Sequence, residues 1–156
     1  MKKNILLIAF SAILFSVFFS SCDKNNLNMG SMSATIDDVD WNASVRLTVL
    51  DSMGFLITGT SLSGDMIALT VFGTTEDKYV LSLDSISAEF EGVYTSGISL
   101  NDVYTAVEGE VELTEIDSTD MKISGTFSFT AMDTEGTTII IKDGKFDNLT
   151  YTLPQE

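Results

Sequence analysis

From Ser31 onward apolar and polar residues alternate with a period of two, the pattern of strands that bury one face. The clearest run is Met121 to Met132. Met121, Ile123, Gly125, Phe127, Phe129 and Ala131 fall on one face, and Lys122, Ser124, Thr126, Ser128 and Thr130 on the other. Such a strand is half buried in an antiparallel sheet, with its phenylalanines in the core. Upstream, Val107, Gly109, Val111 and Leu113 alternate with Glu108, Glu110, Glu112 and Thr114, and Asp117-Ser118-Thr119-Asp120 supplies a turn. Setting apolar residues opposite one another pairs Leu113 with Ile123 and Val111 with Gly125. Downstream, Asp133-Thr134-Glu135-Gly136 has the residues of a type I turn, which sets Ala131 against Ile139 and Phe129 against Ile141. Asp143-Gly144 suits a two-residue hairpin turn that sets Ile141 against Phe146. Residues 107–152 therefore predict a four-stranded C-terminal meander.

The first half alternates less cleanly. Ala34 to Asp37, Val45 to Leu50, Phe55 to Leu62, Met66 to Phe72, Tyr79 to Leu83 and Ser87 to Glu91 predict further strands. A turn at Ser63-Gly64-Asp65 pairs Ile57 with Val71 and Gly59 with Leu69. The opposite face of this hairpin is also partly apolar, carrying Leu56, Leu62, Met66, Ala68 and Phe72. It is either covered or a ligand-binding surface. About ten short strands bury their faces by stacking two sheets or closing a barrel. The expectation is all-β: a single-domain antiparallel β-sandwich, with a small closed β-barrel as the alternative.

A different pattern precedes this domain. Met1-Lys2-Lys3-Asn4 is followed by Ile5 to Phe19, 15 residues without a charge, and then by Ser20 and Ser21. A basic start, an apolar stretch and small residues are the parts of a secretory signal, and the stretch is shorter than the roughly 20 residues of a membrane-crossing helix. Phe19-Ser20-Ser21-Cys22 resembles the lipobox of bacterial lipoproteins. That resemblance implies cleavage before Cys22, acyl groups on Cys22 and attachment to membrane lipid, which two or more chains make stable. Cys22 is the only cysteine. Residues 1–21 are then the signal peptide, 22–31 the lipidated cysteine with a flexible polar tether, and 32–153 the β domain.

Charge narrows the partners. Without Lys2 and Lys3 the chain has 6 basic and 23 acidic residues, a net charge of −17. Such a surface repels phosphate backbones, so nucleic acid is not an expected partner; cationic groups, peptides and neutral glycans are compatible with it. The chain contains no histidine, which removes Ser-His-Asp and Cys-His catalysis and histidine zinc sites. No Gly-rich phosphate loop joins a strand to a helix. A carboxylate pair, as in glycoside hydrolysis, is the chemistry that remains, and no spacing singles one out, so no catalytic residue is assigned. No cofactor is expected. For a metal, calcium is the candidate, with Asp37, Asp40, Asp117, Asp120, Asp143 and Asp147 as the residues to inspect. The bland reading of these aspartates is turn formation through backbone amides. Trp41 reads as a plug at one end of the core or, with Tyr79, Tyr94, Tyr104 and Tyr151, as a sugar-stacking platform.

Ala34-Thr35-Ile36-Asp37-Asp38-Val39-Asp40-Trp41-Asn42-Ala43 resembles the A-x-I-D-G-x-x-W-x-A opening of a family of small Bacteroidota lipoproteins of unknown function, with Asp38 in place of the glycine. Ile123-Ser124-Gly125-Thr126-Phe127-Ser128-Phe129 and Ile141-Lys142-Asp143-Gly144-Lys145-Phe146-Asp147 resemble its I-S-G-T-F-S-F and I-x-x-G-x-F-D ending. The resemblance implies a lipoprotein, a β fold and an outer-membrane address, and carries over no catalytic residue. The resulting expectation is a lipid-anchored envelope protein with a non-enzymatic binding or accessory domain. Its partner would be a glycan, a peptide or another envelope protein, on the periplasmic or the surface side. The alternatives are a carboxylate-dependent glycan hydrolase and a structural envelope protein.

Overall fold

The computed structural model describes residues 30–82, 88–97 and 102–154. Cys22, the signal, the tether up to Met29, and the expected strand ends at Leu83 and Ser87 lie outside the described residues. The described residues form ten strands and no helix: β1 (Ser31–Ile36), β2 (Val39–Asn42), β3 (Val45–Leu50), β4 (Phe55–Thr60), β5 (Met66–Val71), β6 (Lys78–Leu81), β7 (Phe90–Thr95), β8 (Val103–Asp117), β9 (Lys122–Met132) and β10 (Thr138–Thr150).

All ten belong to one antiparallel sheet in the order β2-β1-β10-β9-β8-β7-β5-β4-β3, with β6 also paired to β8. The sheet curls into a half-barrel, an arrangement between the sandwich and the closed barrel expected from sequence. The two ends of the order, β2 and β3, are consecutive in the chain and joined only by Ala43-Ser44. Ala43 N–H donates to Met32 O (2.9 Å) and Ser44 N–H to Thr60 O (2.8 Å), handing the chain from one edge of the sheet to the other. Beyond β10, Leu50 N–H donates to Thr152 O (2.9 Å) and Thr152 N–H to Thr48 O (3.0 Å). One curled sheet thus encloses the core that two stacked sheets would otherwise share. Bulges make the curl possible, because an extra residue bends its strand and increases the local twist. The extra residues lie in β8 and β10, the latter bulging against both β9 and β1. Near the first bulge of β8, Gly109 has φ +150°, and a Cβ there would lie 2.5 Å from that of Phe129.

The inward face is continuous. Phe55, Ile57, Ile67, Leu69, Phe90, Val111, Leu113, Ile123, Ile141, Phe146 and Leu149 are essentially inaccessible to solvent. Phe127 packs against Phe129 and Phe146 with ring centroids 6.4 and 6.3 Å apart, and Phe129 meets Phe90 at 6.4 Å.

The pairings of Ala131 with Ile139 and Phe129 with Ile141 are present as expected. Several expectations are corrected. Asp143-Gly144 is not a hairpin turn: it sits at a bulge inside the continuous β10, which pairs with β9 on one side and β1 on the other. Residues 107–152 therefore hold a three-stranded meander, not a four-stranded one. Asp143 has φ +52°, and an Asp-Gly pair serves a positive-φ turn and a positive-φ bulge equally well, so the local signal is degenerate. The β8–β9 register is displaced by two residues, Leu113 facing Gly125 and Val111 facing Phe127. The β4–β5 register shifts likewise, Ile57 facing Leu69 and Gly59 facing Ile67. In both cases the buried face is unchanged, because side-chain direction repeats every two residues. The strand expected from Ser87 lies later, at Phe90–Thr95, and β2 was missed.

Candidate functional site

One end of the half-barrel holds a cavity of about 340 Å³ lined by Trp41, Tyr94, Tyr104, Asp37, Asp40 and Asp65, among others. Four separate parts of the chain supply these six residues. The first is the β1–β2 hairpin, whose two-residue turn is Asp37-Asp38, with Ile36 facing Val39. Both turn residues have positive φ, 44° and 66°, the type I′ geometry that matches the twist of paired strands. Aspartate adopts positive φ more readily than most residues, so Asp38 serves where the resembling pattern has glycine. The turn is tied to β10: Asp37 Oδ1 accepts from Ile140 N–H at 2.8 Å, and Asp38 pairs with Lys142 at 2.6 Å. Alternation along β2 then leaves Asp40 exposed and turns Trp41 inward, where it is 5% exposed.

Asp65, in the turn between β4 and β5, fastens the rest. Its carbonyl accepts from Trp41 Nε1 at 3.3 Å, and its Oδ1 accepts from Gly97 N–H at 2.7 Å. Oδ2 accepts from the hydroxyls of Ser63 and Ser61. The Ser63 hydroxyl above all, with the Gly97 amide and Ser61, holds the Asp65 carboxyl below its ordinary pKa against the opposing effect of burial. Tyr94 on β7 faces Tyr104 on β8, their ring centroids 6.0 Å apart and tilted by 40°. Burial pushes the Tyr94 phenol above its ordinary pKa; a Ser96 hydrogen bond opposes this, and the negative fields of Asp65, Tyr104 and Asp37 add to it. Among the described residues that line the cavity, none is basic. Gly59 leaves room for the arrangement, since a Cβ there would lie 2.8 Å from the Trp41 ring and 2.7 Å from Met32 Sδ.

The structure divides the sequence candidates. Trp41, Tyr94 and Tyr104 come together, so Trp41 both fills the end of the core and lines the cavity; Tyr79 and Tyr151 lie elsewhere in the core. Asp37 and Asp40 reach the cavity. Asp117 instead accepts from the amides of Thr119 (2.8 Å) and Asp120 (2.9 Å), holding its own turn. Asp143 lies in the β10 bulge and Asp147 approaches Lys145 at 3.8 Å. Among the described residues no three acidic, cysteine or histidine side chains are placed to hold a metal ion. Leu56, Met66, Ala68 and Phe72 do not reach the cavity; they are partly exposed on the outer face of β4 and β5 or just beyond it, and Leu62 projects from the turn, 94% exposed. Asp65 was missed as a site residue. Its signal, Ser61-x-Ser63-x-Asp65, is that of an ordinary polar turn, and only the curl of the sheet brings it to Trp41.

The model of a family described as a domain of unknown function, DUF6252, matches residues 28–150. The chain belongs to this family. The matched segment contains every residue named in the cavity. No curated protein and no solved structure matches the chain.

Proposed function

We propose that this DUF6252 chain is a lipid-anchored protein of the cell envelope whose β domain is a non-enzymatic binding module, with the end cavity as its ligand site. The observation that carries the binding reading is the meeting of three aromatic and three acidic residues from separate strands and turns at one cavity. Sites for small ligands are concave, largely apolar and furnished with a few fixed polar groups. The anchor and outer-membrane address rest on the signal pattern, the single cysteine at position 22 and the resemblance to Bacteroidota lipoproteins.

Two measurements test the proposal. Cys22→Ser should abolish labelling by a fatty-acid analogue and membrane fractionation while leaving the β-sheet circular dichroism intact; a labelled mutant refutes the anchor. The chain has one tryptophan, so a ligand entering the cavity should change Trp41 emission. Emission indifferent to saccharides, amines and peptides alike counts against the site.

The hydrolase reading is favoured by one feature, the presence of Asp37, Asp40 and Asp65 at the same cavity. A glycosidase needs a general acid with a raised pKa, and the Asp65 carboxyl is displaced in the opposite direction. Release of reducing ends from envelope polysaccharides, abolished by Asp40→Asn, would establish the enzyme over the binder.

A further inference from the structure

We propose that the end cavity receives an organic cation, a single ammonium or guanidinium group carried on a small molecule or on a basic side chain. This rests on the cavity being the ligand site and adds the charge of what enters it.

The electrostatics of the lining have one sign. Asp37, Asp40 and Asp65 are among the residues that line the cavity, with no basic residue among the described lining. Lys142, which reaches the β1–β2 turn from β10, is bonded to Asp38 and does not line the cavity. The whole chain carries a net charge of −15, so the field beyond the mouth also attracts cations and repels anions. Among the described residues the carboxylates do not form a set of metal ligands, which disfavours a bare metal ion and leaves an organic cation. The remaining wall is aromatic. Trp41, Tyr94 and Tyr104 offer ring quadrupoles, and a desolvated cation over such a ring is held by cation–π attraction. The Tyr94 phenol stays protonated well into alkaline solution, being pushed up from its ordinary value, so its ring keeps a neutral hydroxyl. A volume of about 340 Å³ lies at the small end of ligand sites, enough for one head group and a few attached carbons.

The test uses the emission of Trp41 in the detergent-solubilised full chain. Probes are tetramethylammonium, arginine amide, the peptide acetyl-Gly-Lys-Gly-amide, methyl glucoside and acetate. The three cations should change the emission saturably, with apparent affinity falling as sodium chloride is raised, while methyl glucoside and acetate leave it unchanged. Tighter binding of the peptide than of the free amines identifies a polypeptide source, and the reverse a small-molecule one; either supports the inference. Asp40→Asn, at an exposed position, should weaken cation binding roughly three- to fivefold. Tyr104→Leu, which removes a ring without altering charge, should weaken it roughly threefold or more. A response to methyl glucoside with none to the cations leaves the site standing and overturns the cation. Cation binding indifferent to both salt and Asp40→Asn also overturns it. A Trp41 signal that no probe moves removes the site and the cation together.

Discussion

On β8, β9 and β10 the residues between core positions include Glu108, Glu110, Glu112, Thr126, Thr130 and Lys142, whereas the matching positions on β3, β4 and β5 include Val45, Leu47, Leu56, Met66 and Ala68. The strands differ in scale too: 15, 11 and 13 residues in the first group and 6 each in the second. Both groups send their inward faces into the same core. Outside, one surface is charged and the other is apolar, with Leu47 55% and Val45 65% exposed on the edge strand β3. Buried polar groups follow the same division. Among the described residues, the buried side-chain polar atoms without a hydrogen-bond partner are Arg46 Nε and Thr48 Oγ1, both on β3. Charge on the outer face makes the inner face legible; where both faces are apolar, alternation in the sequence loses its contrast and the register loses a constraint.

The sharpest test of the shared core is a pair of ring deletions. Phe129→Ala in the charged half and Phe55→Ala in the apolar half should each cost about 3–5 kcal/mol, because both rings are buried against other rings, Phe55 edge-on to Tyr151 at 5.3 Å. Denaturant melts would show this, and a Phe55→Ala cost below about 1 kcal/mol would mean that the apolar half contributes little to the cooperative core. Next in size, Thr48→Val should raise stability by about 1 kcal/mol, since it replaces a buried hydroxyl without a partner by a methyl of similar volume. A loss of stability in the same melts would show that the hydroxyl is satisfied.

A smaller effect depends on pH. The folded Asp65 carboxyl lies below its ordinary value of 3.8, so its ionised form stabilises the fold above that value. The contribution is lost as pH falls through the folded pKa. The advantage of the native chain over Asp65→Asn in thermal melts should therefore be full at neutral pH and shrink as pH falls below 3.8 through the folded pKa. A constant difference across that range contradicts the assignment. Smallest of all are changes on the two outer faces. Glu110→Gln breaks a pair with Lys78 whose side chains are both 48% exposed, and Leu47→Lys adds a charge to the apolar edge. Each should shift stability by less than about 0.5 kcal/mol. Only Leu47→Lys should alter colloidal behaviour, reducing self-association measured by light scattering.

Residue pattern alone determined which side of most strands faces inward, because solvent and core select opposite side chains at alternate positions. It also determined the turns at Asp117–Asp120 and Asp133–Gly136, where side-chain chemistry and backbone geometry agree locally. It left the registers ambiguous in steps of two, since a shift of two preserves every face: hence Leu113 against Gly125 and not Ile123. It could not separate a turn from a bulge at Asp143-Gly144, where the outcome depends on β1 and β9 both being available to pair with a longer β10. The cavity was the least legible. Trp41, Asp65, Tyr94 and Tyr104 sit in different strands and turns, with ordinary local roles as core, turn and pairing residues. What joins them is the curl of one sheet, which brings the β1–β2 hairpin against the β4–β5 turn, and no local preference in the chain encodes that meeting.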